Sequence, residues 1–409
     1  MNRSRVDLSV SSSTRNPASR RTTITLYIAA SFLFWLSLYL YLPTLPVYAQ
    51  AKTDSLAVVG IILAMYGLTQ GAIRLPLGIA ADWLGWLKPF IIGGLILAGV
   101  GAWVMGVAPD ANWLIVGRAI TGLAAATWVP LVVVFSNLFR PDEVVRAVSL
   151  LNLAGCIGRV LGTGITGTLN DLAGYSLAFF LAAGIALLTI PVVVPIREER
   201  RPTQKPSLMG ISHLVSRRDV LVPSLLSAVS QYVTWAAPFG FIPIIARQLG
   251  ASDVLISMLT SMYLAVITLG NLLTTVIVNR VGSRRLVYAS FILASSGAGM
   301  VAIVPTLMSI FAAQLCMGLA VGVGYPVLMG MSIQQVDSSE RTTAMGLHQA
   351  VYSIGMFVGP ALSGALAEAM GIRGMFGVTA CFSITAGLFG AGWLDGPPKN
   401  QQRKYGTHT

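Results

Sequence analysis

The feature that most constrains this 409-residue chain is a repeat: its second half restates its first half at an offset of about 197 residues. Identical pairs at this spacing include Pro46 and Pro243, Tyr66 and Tyr263, Gly158 and Gly355, Gly162 and Gly359, and Gly167 and Gly364. An offset that stays constant over separate segments indicates a duplication. Each half is therefore expected to fold as the same structural unit.

The composition places both halves in a membrane. Apolar residues make up 55% of the chain and charged residues only 10%, whereas soluble domains carry about 25% charged residues. A stretch of about 20 apolar residues crosses the hydrocarbon core as a helix. Twelve such stretches, six in each half, lie at 23–48, 55–80, 89–108, 112–138, 146–169, 174–196, 220–247, 252–278, 286–304, 306–332, 343–367 and 374–394.

These segments are expected to be helices rather than barrel strands. Lipid-facing backbone must pair its polar groups internally, which only helices and closed barrels achieve. Barrel strands alternate apolar and polar residues, but the run from Ala178 to Val194 is almost continuously apolar. The predicted fold is an all-α membrane protein with twelve transmembrane helices in two pseudo-symmetric six-helix bundles. In a membrane chain, two repeated halves are typical of transporters with the site between them.

The net charge of +12 follows the expected topology, so nucleic-acid binding is not needed to explain it. If the N-terminus is cytoplasmic, that side carries about twenty Lys and Arg residues, and the other side carries only Lys52, Arg247 and Arg373. This asymmetry follows the positive-inside rule and places both termini in the cytoplasm and the spans in the cell membrane. The predicted organisation is a disordered tail (1–22), a six-helix bundle (23–196), a cytoplasmic linker (197–219), a second bundle (220–394) and a C-terminal tail (395–409).

A short loop motif follows the second span and recurs in the second half. Gly78, Asp82, Gly85 and Lys88 return as Thr275, Asn279, Gly282 and Arg285. The motif resembles the loop signature of the major facilitator superfamily, and the resemblance extends over about 23–394. It implies that the loop residues gate the cytoplasmic side. The gating set is Gly78, Asp82, Gly85, Lys88, Asn279, Arg280, Gly282, Arg284 and Arg285.

Within the loop, Gly78 is expected to let the second span pack closely against a neighbouring helix, and Gly85 to permit a tight turn. The resemblance implies that Asp82 binds the start of the eleventh span and holds the inward gate shut; the alternative is a solvated acid. The chain departs from the signature because Trp83, Trp86 and Leu87 replace basic residues. Asn279 also replaces the second acid.

Arg118, with Gly122 four residues on, resembles the span-four motif of the drug-efflux branch of the superfamily. The resemblance implies a role in proton coupling, with a structural role as the alternative. Small residues recur at helical spacing in the fifth and eleventh spans, and they favour close helix crossing and a packed hinge between the halves. This hinge set is Gly158, Gly162, Gly167, Gly355, Gly359, Pro360 and Gly364.

Three arginines, Arg74, Arg118 and Arg159, lie inside spans of the first half without an acid in those spans. Cations in hydrocarbon need carbonyls, water or an anionic ligand. The cavity between the halves is therefore expected to accept an anion as one alternative, while structural roles remain open for Arg118 and Arg159.

Aromatic and amide residues at mid-span are candidates for lining the cavity. With Arg74 and Arg159, the set is Trp35, Tyr39, Trp128, Asn152, Gln231, Trp235, Tyr263, Asn271, Gln314, Tyr325 and Tyr352. His348 is the only histidine inside a span and, with Arg118 and Asp82, is a candidate for proton coupling.

The sequence contains no phosphate-binding loop motif, no metal-ligand spacing and no catalytic pair, so no cofactor, metal or enzyme activity is expected. The expected function is secondary transport by alternating access, most simply proton-coupled efflux of a small organic or amphiphilic compound by a monomer. Uptake or exchange of a small anion is the first alternative. A multispan membrane enzyme or sensor, and a scaffold that does not transport, are others.

Overall fold

The computed structural model describes residues 17–140, 143–196, 198, 214–337 and 340–394, with all their side chains except those at 17–19, 75, 81, 82, 145 and 342. The predicted C-terminal tail, most of the N-terminal tail and most of the linker lie outside these residues. The helices of the first half are α1 (Pro17–Tyr39), α2 (Leu45–Gln50), α3 (Leu56–Leu84), α4 (Lys88–Gly106), α5 (Ala111–Ala126), α6 (Trp128–Ser136), α7 (Val144–Ala173) and α8 (Tyr175–Val193).

The second half repeats this order. Its elements are α9 (Arg218–Ala236), a π-helical turn (Ala237–Phe241), α10 (Ile242–Gln248), α11 (Asp253–Val281), α12 (Ser283–Ile303), α13 (Leu307–Gln334) and α14 (Arg341–Gly392). In the described residues, 11 helices are long and apolar enough to cross a membrane. The last of these, α14, is two spans, because Gly371 has φ 79° and ψ 160° and breaks it. The twelve predicted spans are confirmed.

The first span of each half is interrupted at the same repeat position. Residues 40–44 separate α1 from α2, and the π-helical turn occupies 237–241, at the same offset of about 197. Pro46 and Pro243 lie in the first turn of the helices that follow. Proline is accepted there because its missing N–H has no helical partner at that position, but it disfavours continuation of the preceding helix. The duplicated prolines therefore account for the duplicated break.

Successive spans alternate in direction, so the connections lie at two faces. One, which we term the terminal face, holds the start of α1, the end of α14 and the connections near residues 85, 140 and 282. Basic side chains there donate to the carbonyl ends of neighbouring helices: Arg20 to Leu138, Lys88 to Ile196, Arg217 to Gln335 and Arg284 to Gly392. These bonds satisfy carbonyls that lack helical partners. The other, the opposite face, holds residues 51–55, 107–110, 249–252, 304–306 and 371.

Two long helix pairs join the halves: α3 packs against α14, and α7 packs against α11. The hinge glycines divide between these seams and the interior of each half. Gly167 meets the backbone of Asp253 and Val254, and Gly364 meets that of Leu56 and Gly60, so these two lie between the halves. A Cβ built on Gly364 would lie 2.7 Å from the Leu56 carbonyl oxygen, so only glycine permits this approach.

The prediction of a hinge between the halves is wrong for the other four glycines. Gly158 and Gly162 pack against α1 within the first half, and Gly355 and Gly359 pack against α9 within the second half. Close crossing is observed at all four, but inside a bundle. The carbonyl of Pro360, by contrast, faces Gly60 across the α3–α14 seam.

The expectation for Gly78 is also wrong. A Cβ built on this residue would meet nothing within 4 Å, so the glycine is not required for helix packing here. The glycine contacts of the α3–α14 seam end before this level, at Gly71. Gly85 has φ 67°, which agrees with the predicted tight turn.

Candidate functional site

The seam between the halves is closed at the opposite face by two polar contacts at equivalent ends of the repeat. In the first, the carboxylate of Glu368 accepts hydrogen bonds from the Ser55 hydroxyl and the Ala57 N–H, both at 2.9 Å. Glu368 thereby satisfies a free N–H at the start of α3, where a negative charge is favoured. This contact ties the end of the eleventh span to the start of the second.

The second contact centres on Asp253, the first residue of α11. Its carboxylate accepts a bond of 3.1 Å from the Asn170 amide and pairs with Arg247. Asn170 also donates to the Thr44 hydroxyl at 2.9 Å. Asp253 is only 8% exposed, so its charge depends on these partners. The partners of Asp253 come from elements distant in sequence, which no local pattern indicates.

An aromatic layer lies next to these contacts, on the side toward the middle of the spans. Tyr66 of α3 stacks on Trp235 of α9, with ring centroids 5.2 Å apart and planes at 26°. Tyr39 meets the edge of Phe239 across the halves at 6.2 Å. Tyr263 lies behind Phe239 and has no exposed surface. The layer closes the seam, and the expectation that Tyr263 lines a cavity is wrong in this conformation.

Arg118 is sealed within the first half. It is 1% exposed, and its guanidinium carbon lies 4.5 Å above the Tyr66 ring. Among the described residues its Nε and Nη2 have no hydrogen-bond partner. A cation held by an aromatic face in this way is partly compensated by the ring quadrupole, but it has no direct access to the seam.

Arg74 lies where the closed part of the α3–α14 seam ends, on the side toward the terminal face. Its Nη1 donates to the Tyr352 hydroxyl at 2.7 Å, from α3 to α14. The Tyr352 ring packs against Tyr325 of α13, with centroids 5.9 Å apart. All three residues lie about 18 positions from the ends of their helices at the opposite face, or about 27 Å at 1.5 Å per residue. They therefore meet at one depth.

Arg159 of α7 approaches the same region from the other seam. Its guanidinium carbon lies 3.7 Å from the Trp35 ring centroid and 5.5 Å from that of Tyr39. Arg159 lies 14 positions from the end of α7 at the opposite face, or about 21 Å, close to the depth of Arg74. The structure thus places Arg74 and Arg159 at similar depth on the two seams, while Arg118 lies over the Tyr66 ring.

The seam opens beyond Arg74 toward the terminal face. Gly71 still contacts Ser353, but Gly78 on α3 and Gly346 on α14 meet nothing within 4 Å. Along α7 and α11, the hydrogen bonds between described residues run from Asn170–Asp253 to Val160–Ser261. Closure at one face and separation at the other leave the arginines and phenols at the end of an opening.

His348 is buried with no exposed surface, next to this group. The Ser224 hydroxyl donates to the Val220 carbonyl at 2.7 Å, so its oxygen accepts from His348 Nδ1 at 3.1 Å. This network assigns the proton of a neutral ring to Nδ1. Nε2 is then an acceptor without a partner in the described residues.

The remaining cavity candidates are scattered. Trp128 and Gln231 are half-buried, Trp235 is buried in the aromatic layer, and Asn152 and Asn271 are exposed. Gln314 has no exposed surface, so the expectation that it lines the cavity is wrong in this conformation.

The gating candidates lie at the terminal face. Asn279, Arg280, Arg284 and Arg285 are exposed, and Gly282 has φ 87°. The side chain of Asp82 lies outside the described residues, so its predicted latch stays a prediction.

Sequence analysis did not predict one contact at the terminal face. The carboxylate of Glu198 accepts from the backbone N–H groups of Leu87 and Lys88, both at 2.8 Å, and so caps α4. A glutamate in a polar stretch, far along the chain from the helix it caps, carries no signal that could have shown this.

A duplicated bundle of twelve spans, with a polar site at the limit of a one-sided opening, defines a secondary membrane transporter. Comparison with known proteins agrees. The family model described as Major Facilitator Superfamily matches residues 27–232 and 224–409, and the chain belongs to this family. It is therefore a multi-pass membrane transporter of small molecules rather than an enzyme.

Two relatives match over most of their length. An MFS-type transporter of Methanocaldococcus jannaschii is 23% identical over 85% of this chain and 91% of its own. Multidrug resistance protein 1 of Bacillus subtilis is 24% identical over 85% of this chain and 90% of its own. The crystal structure of a bacterial homologue of the human lysosomal transporter Spinster, inward-facing and unoccupied, superposes with a TM-score of 0.79 at 14% identity. It covers 93% of this chain and 98% of that chain.

Proposed function

We propose that this chain is a proton-coupled exporter of small organic compounds that works as a monomer by alternating access. In this proposal both termini are cytoplasmic, so the terminal face is the cytoplasmic face. The conformation described above is then inward-open, ready to accept a compound from the cytoplasm or the inner leaflet.

The one-sided opening of the seam carries this proposal. The α3–α14 contacts run from Glu368 to Arg74 and end before Gly78. Both seams are built from glycine contacts and a few hydrogen bonds, and the aromatic layer adds the Tyr66–Trp235 and Tyr39–Phe239 contacts between the halves. All of these contacts must separate when the opposite face opens. Rocking the halves about the level of Arg74 would open the opposite face and close the terminal face.

The orientation rests on charge. The opposite face carries Lys52, Arg247 and Arg373, whereas basic residues concentrate at the terminal face. Positive-inside topology therefore supports cytoplasmic termini. Efflux is supported by relatives whose names denote multidrug resistance, such as the B. subtilis protein.

His348 is the proposed proton carrier. Its unpartnered Nε2 can accept a proton, and imidazole titrates nearer neutral pH than any other side chain. The groups that face it are Ser224 on α9, Tyr325 on α13 and Tyr352 on α14, with the Arg74 cation bonded to Tyr352. Arg118 and Asp82 are the alternative coupling residues.

Transport in liposomes tests the function. Purified protein is reconstituted, and the movement of cationic, neutral and anionic fluorescent compounds is followed with the pH gradient imposed in each direction. Proton-coupled export predicts that a compound moves against its own gradient only when protons flow the opposite way. The variant His348→Gln should lose this uphill movement while exchange at equal pH persists, and His408→Gln serves as the matched control.

Two results would contradict the proposal. Uphill movement in the same direction as protons would favour uptake, the alternative suggested by the arginines. Gradient-driven transport that survives in His348→Gln would transfer the coupling role to Arg118 or Asp82.

A further inference from the structure

The cluster at the limit of the seam contains cations without counter-charges. Arg74 and Arg159 have no carboxylate within 4.0 Å among the described residues, where the ion pairs involve Arg20, Arg217 and Arg247. The Nε atoms of Arg74 and Arg159 are buried and have no hydrogen-bond partner in this part of the chain. Guanidinium groups taken from water need acceptors. Among the described residues, Arg74 bonds only the Tyr352 hydroxyl, and Arg159 rests on the face of the Trp35 ring.

The other polar groups of the cluster are also donors. Tyr352 accepts from Arg74 through its oxygen, so its own O–H remains free to donate. The Nε1 edge of Trp35 lies against Gly155 of α7, so Trp35 contributes its ring rather than its N–H. Trp35 lies directly against Arg159. The cluster therefore offers free N–H and O–H groups and lacks a matching set of oxygen acceptors.

The donors converge from both halves. Arg74 and Arg159 come from the first half, and Tyr325 and Tyr352 come from the second. The Tyr325 ring packs against the Tyr352 ring, whose hydroxyl accepts from Arg74. A ligand that bridges these residues would contact both bundles at the level where the seam ends, with aromatic rings on several sides.

We propose that the transported compound carries an oxyanion, a carboxylate or an equivalent acid group, which is bound by Arg74 and Arg159 with the Tyr352 hydroxyl. Its apolar part packs against the Trp35, Tyr39 and Tyr325 rings. This inference rests on the proposed function for the site it uses and adds the chemical class of the substrate. Planar guanidinium donors match carboxylate geometry better than a point charge does.

Binding to the purified full chain tests the inference without any gradient. The probes are matched sets in which one ring system carries a carboxylate, a carboxamide or a methylammonium group: 1-naphthoate, 1-naphthamide and 1-naphthylmethylammonium, with the corresponding biphenyl set. Calorimetric titration should give at least about tenfold tighter binding for the carboxylate of each set. This corresponds to one charge-assisted contact, since about 1.4 kcal/mol is tenfold in affinity.

Variants then assign the contact. Arg74→Gln and Arg159→Gln should each weaken carboxylate binding at least about tenfold and leave the carboxamide unchanged, while Arg74→Lys should retain part of the preference. Arg373→Gln is the matched control, because Arg373 is an exposed arginine of the opposite face that donates to the Ala302 and Ile303 carbonyls. Melting of each variant without ligand confirms that it is folded.

Three outcomes would overturn the inference: no carboxylate binds, the ammonium compound binds as tightly as the carboxylate, or the anion preference persists in both glutamine variants. None of these depends on transport direction or proton coupling. A failure of the exporter proposal, conversely, would appear in the liposome experiment and leave the binding preference intact.

Discussion

The two seams that join the halves descend from one duplicated contact and now differ in chemistry. At equivalent positions, Gly364 packs on the start of α3 and Gly167 packs on the start of α11. The α3–α14 seam has further backbone contacts at Gly60 and an exposed carboxylate, Glu368, at its end. The α7–α11 seam instead uses the buried Asp253 and a chain of Ser, Thr and Asn side chains. The comparison teaches that duplication preserved the backbone approach while the polar closure was free to diverge.

The largest loss of stability is expected when a side chain is introduced at the backbone contact of Gly364. Gly364→Val would place side-chain atoms where the Leu56 carbonyl lies, so α3 and α14 must move apart. Overpacking of this kind costs about 3 kcal/mol, and the opposite face should open. The measurement is thermal unfolding, together with the distance between spin labels at Lys52→Cys and Leu249→Cys in a chain without its native cysteines.

The control is Gly346→Val on the same helix, where a Cβ meets nothing within 4 Å. It should leave both quantities near those of the parent chain. Equal destabilisation by the two variants would mean that the seam is not held by this close approach.

An intermediate loss of stability is expected at the α7–α11 seam. Asp253→Asn removes the charge that pairs with Arg247 and holds Asn170, and it should cost about 2 kcal/mol, the size of a hydrogen bond to a charged group. Adding Arg247→Gln tests the assignment, because the second change should cost much less when Asp253 is already gone. Strict additivity of the two changes would show that the pair contributes nothing to closure.

The smallest effect is expected at Glu368→Gln. The side chain is exposed, and the neutral amide oxygen can still accept from Ser55 and Ala57, so the melting temperature should shift less than for Asp253→Asn. A loss that equals or exceeds the effect at Asp253 would reverse the ranking of the two seams. The same melting assay on both variants decides this.

The sequence predicted the spans and the duplication well, because both follow from the local composition of the chain. Apolar length fixed the helices within a few residues, and Pro46 and Pro243 indicated equivalent positions. Arg74, Arg118 and Arg159 were identified as cations inside spans because charge is rare there.

The predictions that failed concern which helices become neighbours in the fold. Gly78 and Gly158 look alike in sequence, but one faces open space and the other faces α1. The partners of Asp253 and the cap supplied by Glu198 come from elements far along the chain. A single sequence contains no signal for such pairings.

The glycine contacts of the two seams have a consequence for the temperature dependence of the transport cycle. Where backbone meets backbone, almost no rotamers are frozen on contact, because glycine has no side-chain freedom to lose. Closing and reopening this face therefore carries a small entropic penalty. The temperature dependence of closure should therefore come from the aromatic layer, whose hydrophobic burial varies with temperature, rather than from the glycine contacts.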